Sequence, residues 1–76
     1  MDSQAKQILE YLRTGKKLTP LDALQLFGCF RLSARISELR DMGRDMGFEI
    51  ITDKKEVTDK FGNKKYVGEY WLRETV

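Results

Sequence analysis

Histidine is missing from this sequence, and cysteine and proline each occur only once in 76 residues. Without histidine, the chain lacks the commonest general base near neutral pH and the commonest nitrogen ligand for zinc. Cys29 alone can form neither an internal disulfide nor a zinc finger, and a small buried apolar side chain is its default interpretation. We therefore expect no enzyme, no catalytic residue, no metal, no cofactor and no small-molecule substrate.

Long apolar runs are also missing. No segment approaches the ~18 residues of a membrane span, and the first four residues do not begin a signal peptide. Small secreted domains usually carry several disulfides, so the lone cysteine favours a reducing compartment. We expect a cytoplasmic protein without membrane contact. Its 41% hydrophobic and 34% charged residues predict one folded domain, residues 1–76, with a small core.

The first helix is predicted from a single apolar stripe. Its members recur at i, i+3, i+4 and i+7, at Ala5, Ile8, Leu9 and Leu12. This spacing is that of one face of an amphipathic helix. Asp2 or Ser3 can cap the start, and Gly15 can end it.

A second helix has a strong start signal. Thr19 is a good N-cap, Pro20 fits the first helical position, and Asp22 can close a capping box back to Thr19. The body of this helix, residues 21–27, is apolar on most sides. That composition predicts a helix sandwiched between other elements.

The third helix follows a break at residues 28–30 and begins at Arg31 or Leu32. Leu32, Ile36 and Leu39 fall within ~60° on a helical wheel, which predicts a narrow buried seam. The outward face carries Ser33, Ala34, Ser37, Glu38 and Asp41, and the flanks carry Arg31, Arg35, Arg40 and Arg44.

A tandem repeat, RDMG at 40–43 and again at 44–47, leaves two ends open for this helix. It can stop at Gly43 or run one turn further to Gly47. We favour Gly43, since an interior glycine costs ~1 kcal/mol relative to alanine.

After Gly47 the apolar pattern alternates, which predicts a β-hairpin with a turn at residues 59–63. One strand face has Phe48, Ile50 and Thr52, and the other strand contributes Tyr66, Gly68, Tyr70 and Leu72 to an aromatic inner surface. Trp71 is out of phase and is expected on the outer face. There it either packs on a terminus or marks a homodimer or protein-partner surface.

These elements predict an α+β fold, a three-helix helix-turn-helix core followed by a β-hairpin wing. Such a fold places the third helix in the major groove of duplex DNA. The rival interpretation of that helix is an ordinary solvated surface.

Candidate DNA contacts fall in three groups. On the third helix, Ser33, Ala34 and Ser37 permit close approach, Arg31 and Arg35 reach guanine or phosphate, and Arg40 and Arg44 reach phosphates further along. The second helix can bind a phosphate at its start through Thr19 with Lys16 and Lys17, or it is simply a capped helix. Wing lysines supply the third group: Lys54, Lys55, Lys60, Lys64 and Lys65, offset by Glu56 and Asp59.

Residues 19–40 resemble a family of short helix-turn-helix proteins common in bacteriophages and prophages. The resemblance includes LFGC at 26–29, RLSARI at 31–36 and LR at 39–40, and it extends to residues 7–12 and 68–72. It implies a winged helix-turn-helix and DNA binding, without naming an operator or a process. A phage-encoded transcriptional regulator or a small recombination or packaging accessory protein in a bacterial host would fit this expectation. The tandem repeat and a longer wing between Thr52 and Tyr66 depart from the family pattern.

The formal net charge of only +2 keeps a second hypothesis open. The same fold would then be a protein-interaction module that binds or inhibits a host protein. Its expected anchors are Trp71, Tyr70 and Phe61.

Overall fold

The fold is three helices followed by a two-stranded antiparallel hairpin. In the computed structural model, which describes residues 3–75, the elements are α1 (Ser3–Arg13), α2 (Pro20–Phe27), α3 (Leu32–Met46), β1 (Phe48–Thr58) and β2 (Lys64–Glu74). The predicted α+β architecture of a helix-turn-helix with a wing is confirmed.

α1 buries the stripe that its periodicity predicts. Ala5 and Ile8 are fully buried, and Leu9 and Leu12 are 5% and 1% exposed. The helix is followed by a turn in which Gly15 has a φ of +88°. Asp2, one of the two predicted caps, lies outside the described residues, as does the side chain of the other, Ser3.

α2 begins with the predicted capping box. The Asp22 amide donates to Thr19 Oγ1 at 3.1 Å, and the Thr19 amide donates to Asp22 Oδ2 at 3.1 Å. The helix ends at Gly28, which has a φ of +64°. Cys29 follows as a buried residue, 2% exposed, as expected of a small apolar side chain.

The prediction that α2 is sandwiched was wrong. Only Ala23 is fully buried in this helix, whereas Leu21, Leu24 and Leu26 are 62%, 38% and 55% exposed. The reason is that α2 packs against α1 and β2, and no element within residues 3–75 covers its other side.

α3 buries its seam of Leu32, Ile36 and Leu39, as predicted. It does not stop at Gly43, and that prediction was wrong. The helix runs to Met46 and is closed by Gly47, whose φ is +83° and whose amide donates to the Gly43 carbonyl at 2.9 Å. Gly43 is an interior, buried residue packed against Phe48.

The hairpin pairs β1 with β2 over eleven rungs, from Phe48 opposite Glu74 to Thr58 opposite Lys64. Phe48 and Ile50 belong to the core, and Tyr70 and Leu72 pack against it.

Tyr66, predicted on this inner surface, is 65% exposed. Every residue from 60 to 66 is exposed, because this end of the hairpin extends past the core.

Leu18 adds one further rung. It forms an isolated antiparallel bridge with Tyr70, with two backbone hydrogen bonds of 2.8 Å. The connection between α1 and α2 is therefore tied to the base of the hairpin, and Leu18 is fully buried there.

Candidate nucleic-acid interface

The first half of α3 exposes small side chains, flanked by Arg35 and its ion-pair partner Glu38. Ser33 and Ser37 are exposed, one helical turn apart, and Ala34 beside them is half-buried. In a helix-turn-helix, the first residues of the recognition helix are those that reach base edges. Small side chains on that half allow the helix backbone to approach a groove closely.

The two arginines nearest this surface differ in exposure and in ion pairing. Arg31 is the N-cap residue of α3 and is exposed, with no side-chain capping bond. Arg35 is half-buried, and its Nη2 lies 3.0 Å from Glu38 Oε1. Arg31 is the freer donor of the pair.

The second half of α3 has balanced charges, two arginines and two aspartates, and it is partly committed to the fold. Arg40 donates through Nε and Nη2 to the Ile50 carbonyl, at 3.3 and 3.2 Å, and through Nη2 to Thr52 Oγ1 at 2.7 Å. It therefore holds α3 against β1. Arg44 is exposed and lies 3.6 Å from Asp41.

The start of α2 offers less to a phosphate than its sequence predicts. Thr19 is 7% exposed, and its hydroxyl and amide are both used in the capping box. Lys16 lies over the Tyr11 ring, with Nζ 5.4 Å from the centroid, and Lys17 is exposed. These two lysines are the available cations at this end of α2.

Three of the five wing lysines face a carboxylate. The Nζ to carboxylate distances are 3.5 Å for Lys55–Glu69, 3.6 Å for Lys64–Glu56 and 3.7 Å for Lys65–Asp59. Lys54 and Lys60 have no ion pair within residues 3–75. The lysine of each pair is at least half exposed, and solvent-screened pairs of this kind are worth ~0–1 kcal/mol, so a phosphate can compete for all five lysines.

The wing turn is organised by one aspartate. Asp59 Oδ1 accepts from the amides of Asn63 and Phe61, both at 2.9 Å. The bond from the Asn63 amide has the largest effect on the pKa of Asp59. With the Phe61 amide and Lys65, it holds this pKa below its ordinary value, although partial desolvation acts in the opposite direction. The carboxylate stays ionised and fixes the turn.

Trp71 lies on the outer face of the hairpin, opposite Ile51 and out of phase with the core residues, as predicted. Its Nε1 donates to Asp53 Oδ2 at 2.8 Å. Of the other expected protein anchors, Tyr70 packs against the core, and Phe61 is 78% exposed. The three residues therefore do not form one patch.

Sequence reasoning missed an apolar groove between α2 and the wing. The groove has a volume of about 680 Å³ and is lined on one side by Leu21, Leu24 and Phe30 and on the other by Val57 and Val67. The signal was present in the leucine-rich face of α2, which we assigned to the core.

The remaining chemistry is sparse. Within residues 3–75, no group of three or more histidine, cysteine or acidic side chains is placed to hold a metal ion. No helix in that part of the chain has the length and apolar character required to cross a bilayer.

A tri-helical core, a recognition-type helix with a small exposed first half and a lysine-bearing hairpin define the winged helix-turn-helix class. The chain belongs to the winged helix-turn-helix domain family, whose model matches residues 3–75. No curated protein and no solved structure matches the chain significantly.

Proposed function

We propose that residues 1–76 act as one DNA-binding domain, with the first half of α3 in the major groove and the wing along the backbone. The observation that carries this proposal is the exposed surface of Ser33 and Ser37 beside the guanidinium of Arg31, which has no ion pair within residues 3–75. This surface combines close approach with a donor that can reach guanine.

Backbone contacts come from cations on both sides of α3. The α2 side contributes Lys16 and Lys17, which precede the cap residue Thr19, and the wing contributes Lys54, Lys55, Lys60, Lys64 and Lys65. Arg44 can bind a phosphate once its ion pair with Asp41 opens. Arg35 and Arg40 are bonded to Glu38 and to the Ile50 carbonyl, so they contribute only the N–H groups that these bonds do not use. Each phosphate contact adds ~0.9 to the magnitude of the salt slope.

At a finer level, we propose a regulator of transcription or a recombination accessory factor encoded by a phage or prophage and acting in the bacterial cytoplasm. The resemblance of residues 19–40 to short phage helix-turn-helix proteins supports this role. A domain of this size covers few base pairs, so a specific site calls for a dimer or tandem copies.

The test is fluorescence anisotropy against random-core duplexes at 50 and 200 mM salt, with bound duplexes recovered and sequenced. We expect binding that falls ~100-fold or more between the two salt concentrations and that enriches a motif. An Arg31→Ala variant should lose the motif while keeping residual salt-sensitive binding. Absence of binding at 50 mM salt refutes the proposal.

A second candidate is a protein-interaction module that binds or inhibits a host protein. It is favoured by the groove between α2 and the wing, because Leu21 and Phe30 are 62% and 87% exposed there. A photo-crosslinker placed at Phe30 should give one discrete adduct in host cells, which Leu24→Glu abolishes. The same crosslinker at the exposed Glu10, on α1, is the matched control.

A further inference from the structure

The tip of the wing holds an aromatic ring in water. Phe61 is 78% exposed, and the ring contact described for it is with Lys60, whose Nζ lies 5.3 Å from the ring centroid. An exposed phenylalanine at a hairpin tip contributes nothing to the core of its own domain. Any burial of this ring has to come from something outside the domain.

The backbone that carries this ring is held by hydrogen bonds within the turn. Besides the two amide bonds to Asp59 Oδ1, the Gly62 amide donates to the Asp59 carbonyl at 3.0 Å and the Asp59 amide to the Asn63 carbonyl at 2.9 Å. Gly62 has a φ of +84°, which glycine adopts without strain. The ring is presented from a turn closed by four hydrogen bonds, so little ordering entropy remains to oppose its insertion.

The tip also projects. Each strand has eleven residues, which makes a ribbon of ~35 Å at ~3.4 Å per residue. The molecule measures 43 Å along its longest axis against 24 and 19 Å along the others. A ring at the end of such an arm can enter a groove that the helices do not reach.

The charges at the tip match a polyanion. Lys60 covers the ring without an ion pair in the described chain, and Lys64 and Lys65 lie in weak, exposed pairs. Cations around an apolar side chain are the arrangement with which minor-groove proteins insert a wedge between base pairs and neutralise the flanking phosphates.

We propose that Phe61 is a wedge that inserts at a base step in the minor groove and kinks the duplex. The inference rests on the proposed function and deepens it by naming the DNA that the wing binds. This DNA is a duplex with easily unstacked pyrimidine–purine steps, such as TpA. Stacking on a base recovers ~1–3 kcal/mol per base in other proteins, which is ~5- to 150-fold in affinity.

Phe30 provides a matched control. It is also an exposed phenylalanine, 87% accessible, but it lies in the turn before α3 and lines the groove with α2. Loss of either ring removes a similar exposed apolar area. Only loss of Phe61 removes the wedge.

The experiment uses two 24-base-pair duplexes of equal composition, one with central TpA steps and one with an A-tract, each labelled at both ends for energy transfer. The full chain should bind the TpA duplex ~10-fold more tightly and bring its ends closer. Phe61→Ala should lose both the preference and the bend, and Phe30→Ala should keep them. Lys60→Ala should keep the preference and lower the salt slope by ~0.9. Circular dichroism melts verify that each variant folds.

The outcomes separate two failures. Binding of both duplexes with equal affinity by the full chain and by Phe61→Ala overturns the wedge and leaves DNA binding standing. An equal loss of the TpA preference in Phe61→Ala and Phe30→Ala also overturns the wedge. The preference would then depend on the amount of exposed apolar area and not on the position of Phe61. No binding to either duplex at 50 mM salt overturns the wedge together with the proposed function.

Discussion

Gly43 and Phe48 are in direct contact across the junction between α3 and β1. A β-carbon at position 43 would overlap the Phe48 carbonyl oxygen and meet two carbons of the Phe48 ring at 3.0 Å. The helix and the strand can lie this close only because residue 43 has no side chain. The tandem repeat thus places one glycine at a packing contact and the other, Gly47, at the helix end.

Gly43→Ala should destabilise the fold, although alanine is the better helix former. Relief of the overlap with a backbone atom requires α3 and β1 to separate, and such overpacking costs ~1–3 kcal/mol. The helix-propensity gain of ~1 kcal/mol offsets part of that. We expect a lower midpoint in urea unfolding. Gly68→Ala is the control, because its nearest neighbour would be Thr52 Cγ2 at an ordinary 3.5 Å. Equal stability of the two variants would contradict the packing role of Gly43.

Leu39→Ala should cost ~2–5 kcal/mol of unfolding free energy, because Leu39 is fully buried in the α3 seam. Leu26→Ala deletes the same atoms from a side chain that is 55% exposed and should change stability by less than about 0.5 kcal/mol. Thermal melts of both variants give the comparison. A Leu39→Ala melt that matches the parent would refute the assignment of the core.

Arg31→Ala should weaken binding to a selected DNA site by ~1–3 kcal/mol and relax specificity at one base pair. Arg35→Ala should have a smaller effect, because Arg35 is already bonded to Glu38. Competition anisotropy with the selected and scrambled duplexes measures both.

Arg73→Ala removes the same charge from an arginine that is ion-paired with Glu49 on the hairpin. The DNA sequence specificity of the Arg73→Ala variant should stay at the parent value. A loss of specificity in Arg73→Ala equal to that in Arg31→Ala would remove α3 from the site.

The wing turn should loosen in acid. Because the pKa of Asp59 is lowered in the folded chain, the turn is stabilised above the ordinary aspartate pKa, and this stabilisation is lost as the pH falls through the lowered value. NMR titration should show the Phe61 and Asn63 amide shifts following Asp59, with a midpoint below that of a free peptide of residues 57–65. Asp59→Asn should abolish this titration. A midpoint equal to that of the peptide would contradict the bonding of Asp59.

Prediction from sequence succeeded where the signal is local. The α1 stripe, the Thr19–Asp22 capping box and the turn at residues 59–63 each depend on residues within about one or two helical turns. It failed for the faces of α2 and for Tyr66. At these positions the local sequence pattern is the same whether or not another element covers the apolar side chain.

The sequence by itself therefore determined the element order, the capping box of α2 and the winged helix-turn-helix class, because periodicity and capping are properties of neighbouring residues. Only the tertiary structure decided that Gly43 is interior, that Arg40 is held by the Ile50 carbonyl, and that the wing tip stands clear of the core. The physical reason is that each depends on how two elements approach each other in space, which the residue pattern of a single element does not specify. Burial and hydrogen bonding follow from that approach.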